Sequence, residues 1–218
     1  MNPHVQAFFD PATFTVSYVV HDPATKKAAI IDPVLDFTPR NGRTSTQSAD
    51  ALLRYVDEND LALVWLLETH AHADHLSAAH YLHEKTGAPI VIGSEITHVQ
   101  GVFGALFEAD DVKPDGSAFG RLVSEGESLA LGDLEIGVLH TPGHTPACVT
   151  YLIGDAAFVG DTLFMPDYGT ARADFPGRGI LESVGAGPAI TALFAASGES
   201  GIIGLYDNGA PVGAAGAD

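Results

Sequence analysis

Thr69-His70-Ala71-His72-Ala73-Asp74-His75 brings three imidazoles and a carboxylate together in one short run. A single buried histidine is commonly a satisfied core residue, but three packed side by side carry more ring nitrogens than their neighbours can pair. The plain alternative is a solvated polar loop. That alternative fits poorly with the strongly apolar stretch directly before the cluster, and the pattern predicts a metal centre. Two further segments offer distant ligands. In His140-Thr141-Pro142-Gly143-His144-Thr145 the proline and glycine make a tight turn able to aim His144. Val159-Gly160-Asp161-Thr162 offers the carboxylate of Asp161, although a strand-ending Gly-Asp taken alone is ordinarily a turn. Cys148 is the single cysteine, so a disulfide framework and a cysteine-rich zinc module are excluded. Imidazole and carboxylate ligands point to zinc, iron or manganese.

The elements around these segments must hold them at a common edge. Leu61 to Leu67 is continuously apolar and predicts a strand buried on both faces. It runs straight into Glu68-Thr69-His70, which puts the cluster in the loop at the carboxyl end of a central strand. Before it, Phe14 to Val20 and Ala28 to Ile31 read as an antiparallel pair, and Asp36 to Gln47 as loop. Ser48 is the expected cap of a helix with Ala49, Leu52, Leu53 and Val56 on one face. After the cluster, Leu76 to Lys85 reads as a helix stopped by Gly87, followed by a strand at Pro89 to Ile92. Ser128 to Leu131, Leu134 to Leu139, Val149 to Ile153 and Ala157 to Val159 are the strands of the second half. Strands with helices in both halves suggest two sheets with helices outside. From Gly179 to Asp218 there is no Lys, Arg or His. There Ile190 to Ala196 reads as a short helix, Gly201 to Tyr206 as a short strand, and Gly209 to Asp218 as disordered.

THAHADH, TPGHT and VGDTLF resemble, in that order, the successive metal motifs of the metallo-β-lactamase superfamily, over about Phe8 to Gly177. The resemblance implies an α+β fold, the αββα sandwich, with the site at one edge of the sheets. IDPVLDF, ETHAHADHLSAA, TPGHTPACVTY and GTARADFPG (Gly169 to Gly177) are similar to its persulfide dioxygenase branch. That branch implies oxidation of glutathione persulfide by O2 to sulfite and glutathione at one Fe(II) per chain. Carried over by motif position, the iron ligands are His70, His144 and Asp161, a set with open positions that suits non-haem iron. His72, Asp74 and His75 then orient ligands and bound water, and His72 is the one that becomes a ligand if the metal is Zn(II). Arg172, within TARADF, is the expected anion contact for glutathione, against the plainer reading of a salt bridge with Asp174. Tyr168 is expected in the same pocket. Cys148, His4, His21, His80, His83, His98 and His140 read as packing or surface residues.

The sequence departs from the superfamily pattern late in the chain. Two-metal members need another histidine there, and none follows His144. Tyr206-Asp207-Asn208-Gly209-Ala210-Pro211 resembles the late HDY-plus-GAP segment with Tyr206 in the histidine's place, which leaves a second site only Asp74, His75 and a shared Asp161. A zinc-dependent glyoxalase II-like thioester or lactone hydrolase, in which a metal hydroxide attacks a carbonyl, is the alternative enzyme. A catalytically impaired metal-binding paralogue is the alternative without turnover. Residues 1–178 read as the metallo-β-lactamase-like domain and 179–218 as its divergent tail, either truncated or poorly ordered.

The 218 residues suit one domain with a sizeable core. A formal charge of −18 argues against nucleic acid and anionic membrane surfaces as partners. The expected partner is a small-molecule thiol or persulfide, with a sulfurtransferase as its supplier and a homodimer as the assembly. No apolar run approaches the length of a membrane span, and Met1-Asn2-Pro3-His4 opens no signal peptide, so the expectation is a cytoplasmic protein.

Overall fold

The computed structural model describes residues 2–164, 175, 206–207 and 210–211. The first sheet is built from β1 (His4–Asp10), β2 (Thr15–His21), β3 (Lys27–Ile31), β6 (Ala62–Leu67), β8 (Ile90–Gly93) and β9 (Arg121–Val123), side by side in that order. Its first three strands pair antiparallel, as expected for β2 and β3, and its last four run parallel. The parallel part arises because α1 (Gln47–Glu58) and α2 (Ala79–Thr86) carry the chain back between β3, β6 and β8. The second sheet, β10 (Ser128–Leu131), β11 (Leu134–His140), β12 (Val149–Ile153) and β13 (Ala156–Phe158), is wholly antiparallel.

Successive strand residues point to opposite faces, and three adjacent pairs divide the core accordingly. Val19, Ile30 and Leu66 pack with Ala49, Leu52 and Val56 of α1 and Leu82 of α2. Val20, Ile31 and Leu67 face the other way, onto Leu129, Leu131, Ile136, Val138, Tyr151 and Ile153 of the second sheet. The strand at Leu61 to Leu67 is therefore buried on both faces only at its carboxyl end, where Leu66 and Leu67 are inaccessible, while Ala62 is exposed. That buried end is the one that feeds the histidine cluster.

Some expectations are corrected. The segment read as loop holds β4 (Val34–Thr38) and β5 (Arg43–Ser45), which pair antiparallel. Its polar composition reflects an exposed hairpin, with Gly42 at φ 65° in the turn. Thr46, not Ser48, stands at the N-cap of α1. The cap comes instead from Asp36 on β4, whose carboxylate accepts from Ser48 N–H (3.0 Å) and Ser48 Oγ (2.6 Å). Leu76–Ser77 is a short strand, β7, paired with Val34–Leu35, and the helix starts only at Ala79. Its end at Gly87, φ 75°, is as expected. The helix α3 (Ile96–Leu106) has a poor helix composition, with two glycines and four β-branched residues, yet Ile96 and Val99 bury against Ile92, Ala147 and Phe175. Tyr206–Asp207 and Ala210–Pro211 pair as a short hairpin, β14 and β15, so that Ala210–Pro211 stands inside the segment read as disordered. The expected helix at Ile190 to Ala196 and the rest of the 179–218 tail lie outside the described residues. No helix among the described residues is long and apolar enough to cross a membrane.

Candidate metal centre

Three strand ends meet at one edge of the sandwich. β6 delivers Glu68 to His75, the turn after β11 delivers His144, and the 3-10 turn Gly160–Thr162 after β13 delivers Asp161. Hydrogen bonds tie the three together. Val149 N–H reaches Thr69 O at 2.9 Å, and the Thr141 hydroxyl meets those of Thr150 (3.1 Å) and Thr162 (3.0 Å). His140 Nε2 lies 2.8 Å from Pro146 O and so braces the turn that aims His144. Gly160 adopts φ 50°, and a Cβ there would fall 2.3 Å from Thr69 Oγ1, so only glycine lets Asp161 approach the cluster.

The structure brings His70, His144 and Asp161 into one group, with one ligand atom from each lying within 4.8 Å of the others. Asp161 Oδ2 lies 3.5 Å from His144 Nε2 and 4.0 Å from His70 Nε2. His72 belongs to two neighbouring groups instead, one with Asp74 and His75, the other with Asp32 and Glu68. In the first, His75 Nδ1 stands 3.2 Å from Asp74 Oδ2, and Thr15 Oγ1 donates to the same oxygen at 3.1 Å. In the second, His72 Nε2 is 3.1 Å from both Asp32 Oδ1 and Glu68 Oε2.

The hydrogen bonds fix which nitrogen of His70 is free. Asp32 Oδ2 accepts the Thr69 hydroxyl at 2.8 Å. That hydroxyl has one hydrogen, so toward His70 Nδ1, 3.0 Å away, Thr69 Oγ1 must accept. The proton therefore sits on Nδ1, and Nε2 presents a lone pair. Nε2 is buried and has no hydrogen-bond partner. A buried, unpaired imidazole nitrogen beside an imidazole and a carboxylate fits a metal ion. His75 Nε2 is likewise buried without a partner, in the adjoining group.

The electrostatics agree. Burial, reinforced by the neighbouring His72, pushes His70 down to about 3, so the ring is a neutral donor at physiological pH. Burial raises the Asp161 carboxyl, against the pull of His144. Burial also disfavours a charged His72, yet Asp32 and Glu68 outweigh it and hold that ring well above the ordinary imidazole range. The hydrogen bond from His75 holds the Asp74 carboxyl far below the usual range. Side-chain exposure rises from 1% at His70 through 22% at His144 to 32% at Asp161, so the group opens to solvent on the His144–Asp161 side.

Arg172 and Tyr168 lie outside the described residues. Of the stretch Gly169 to Gly177 only Phe175 is described, buried with its ring edge-on to Phe103 of α3 at 5.5 Å. Cys148 is buried, accepts from Thr145 N–H at 3.2 Å and packs as expected. Asp32 and Glu68 are the residues of the centre to which sequence reasoning gave no role. Their signal is an acid at the carboxyl end of each of two neighbouring apolar strands, where burial is certain and a partner is required.

A family model described as Metallo-beta-lactamase superfamily matches residues 10–192. The chain is 55% identical over 194 residues to a probable metallo-hydrolase of Burkholderia pseudomallei (83% of this chain, 66% of the relative). It is 48% identical over 175 residues to glyoxylase B2 of Dictyostelium discoideum (79% and 60%). It is 30% identical over 173 residues to the human mitochondrial persulfide dioxygenase ETHE1 (78% and 56%). The crystal structure of ETHE1 from Myxococcus xanthus superposes with a TM-score of 0.71 at 28% identity, covering 97% of this chain and 79% of that one. The chain spans 41% to 66% of the length of the curated relatives it matches at 55% identity. The matched residues take in both sheets of the sandwich and the edge where these donors gather, and the chain belongs to the metallo-β-lactamase superfamily.

Proposed function

We propose that this chain is a persulfide dioxygenase with one Fe(II), converting glutathione persulfide, O2 and water to glutathione, sulfite and two protons. The observation that carries the reading is the convergence of His70 Nε2, His144 Nε2 and Asp161 Oδ2 while His72 is engaged elsewhere. Two imidazoles and one carboxylate leave coordination positions open, which suits non-haem iron. Bound Fe(II) supplies the redox chemistry by which O2 oxidises the outer persulfide sulfur. The chain's own residues orient and select. The Asp32–Thr69 pair holds the His70 ring so that its Nε2 lone pair faces the ion. Asp161 adds the single negative charge, and the exposed His144–Asp161 side is the route for substrate. Arg172 is assigned to a carboxylate of glutathione and Tyr168 to the wall of its pocket. A sulfurtransferase is the class of partner that supplies the persulfide. The 30% identity to the human persulfide dioxygenase and the likeness to the Myxococcus xanthus structure support this reading.

A second reading is favoured by the Asp74–His75 pair beside the first group and by the names of the relatives at 55% and 48% identity. It is a zinc hydrolase acting on a thioester or lactone, with Asp74 and His75 helping to hold a second ion. Oxygen consumption and sulfite formation by anaerobically purified, Fe(II)-loaded protein given glutathione persulfide test the first reading. Equal uptake of O2 and release of sulfite is expected. Two zinc ions per chain with hydrolysis of S-lactoylglutathione and no O2 uptake would replace it with the second, and bound metal with neither turnover would mark an impaired paralogue.

A further inference from the structure

Asp32 and Glu68 are 6% and 3% exposed and converge on one nitrogen of one ring. Asp32 already accepts from Thr69 N–H through Oδ1 and from the Thr69 hydroxyl through Oδ2, both at 2.8 Å. It takes the His72 Nε2 hydrogen as well, at 3.1 Å. Glu68 Oε1 accepts from the Ser77 hydroxyl. Glu68 Oε2 stands 3.1 Å from the same His72 Nε2, yet it has no aligned hydrogen bond, because the one Nε2 hydrogen is directed to Asp32. A buried carboxylate oxygen without a hydrogen bond is costly, and among the described residues its compensation is attraction to the His72 ring.

We propose that Asp32 and Glu68 are positioning residues that hold His72 by Nε2 and keep its ring out of the metal's ligand set, leaving His70, His144 and Asp161 to hold the ion alone. The inference rests on the reading of those three as ligands. The His72 ring centroid is only 4.1 Å from that of His70, so a modest movement would bring it to the same ion. A fourth protein ligand would close a tetrahedral site of the structural-zinc kind, whereas three keep positions open. The acidic pair thus sets how many positions the substrate finds. Sites for a second ion at these acids are disfavoured, since both Asp32 oxygens and Glu68 Oε1 already accept hydrogen bonds.

Co(II) titration of the full chain, followed by visible absorption and metal analysis, tests this without recourse to turnover. One Co(II) per chain is expected, and His72→Ala leaves the position and intensity of the absorption bands unchanged. Glu68→Gln, and Glu68→Ala as a second route with no acceptor in any orientation, remove the buried charge that draws the ring and leave it the 3.1 Å bond to Asp32, so that it can turn to the ion. The bands then gain intensity as four-coordinate character grows, and Zn(II) binds about tenfold tighter, a change of the size seen for outer-shell contacts. Adding His72→Ala to either variant restores the native spectrum. The proposal is overturned if His72→Ala alone shifts the native bands, if both Glu68 variants leave them unchanged, or if their effect survives in the double variants. Two Co(II) per native chain, falling to one in Glu68→Gln, would make the acids ligands and also overturn it. A His144→Ala chain that keeps the native bands would remove the three-ligand reading itself, whichever way the His72 series falls.

Discussion

On one side of the histidine cluster Asp32, Thr69 and His72 lean on one another at 2.8 to 3.1 Å, every contact aligned as a hydrogen bond. On the other side Asp161 Oδ2 stands 3.5 Å from His144 Nε2 and 4.0 Å from His70 Nε2, and no hydrogen bond joins them. Each side takes a histidine from the same loop after β6. The difference teaches how a run of histidines divides its labour. A ring gripped by buried acids, as His72 is, becomes framework, and a ring left with a buried lone pair that no protein hydrogen reaches, as His70 is at Nε2, becomes a metal donor.

The contrast breaks most sharply at His144. Its replacement by alanine takes a donor from the open side, and equilibrium dialysis should show metal affinity reduced by more than the roughly 100-fold upper range of outer-shell changes. O2 uptake should vanish with the metal. On the framework side Asp32→Ala should leave metal stoichiometry less affected but cost about 3–5 kcal/mol in urea unfolding, since it strands a buried imidazole beside Glu68 and deprives Thr69 of two bonds. If Asp32→Ala were harmless to stability while abolishing metal binding, the division between framework and donor would be wrong. Gly160→Ala lies between the two sides. Its φ of 50° and the 2.3 Å approach to Thr69 Oγ1 predict a loss of about 1–3 kcal/mol together with weaker metal binding, because Asp161 must retreat with the backbone. The smallest effect belongs to Glu84→Ala, which removes a pair with His80 (3.5 Å) on an exposed helix face far from this contrast, and the unfolding midpoint should move by no more than about 0.5 kcal/mol in equivalent stability.

Most of the donor side was legible because ligand chemistry is local. The spacing His70 to His75, the Pro142-Gly143 turn before His144 and the Gly160-Asp161 pair each identify themselves within a few residues. The framework side was not, because its bonds join residues 37 and 40 positions apart, from Asp32 to Thr69 and to His72. The same distinction runs through the fold. Alternation in β11 and the apolar run of β6 declare strands directly. By contrast, α3 forms from a poor helix sequence because Ile96 and Val99 find a buried surface, and α1 takes its cap from Asp36, 12 residues upstream on β4.

The sequence by itself determined that imidazole and carboxylate, not thiolate, would hold any metal, and that the cluster would stand at the end of a buried strand. These follow from residue type and from an uninterrupted apolar run, which act over a few residues. Only the tertiary structure decided that His72 turns to Asp32 and Glu68 while His70 offers Nε2 to His144 and Asp161. Which nitrogen of a ring is left unpaired depends on acceptors brought in by other strands, and no local pattern encodes them.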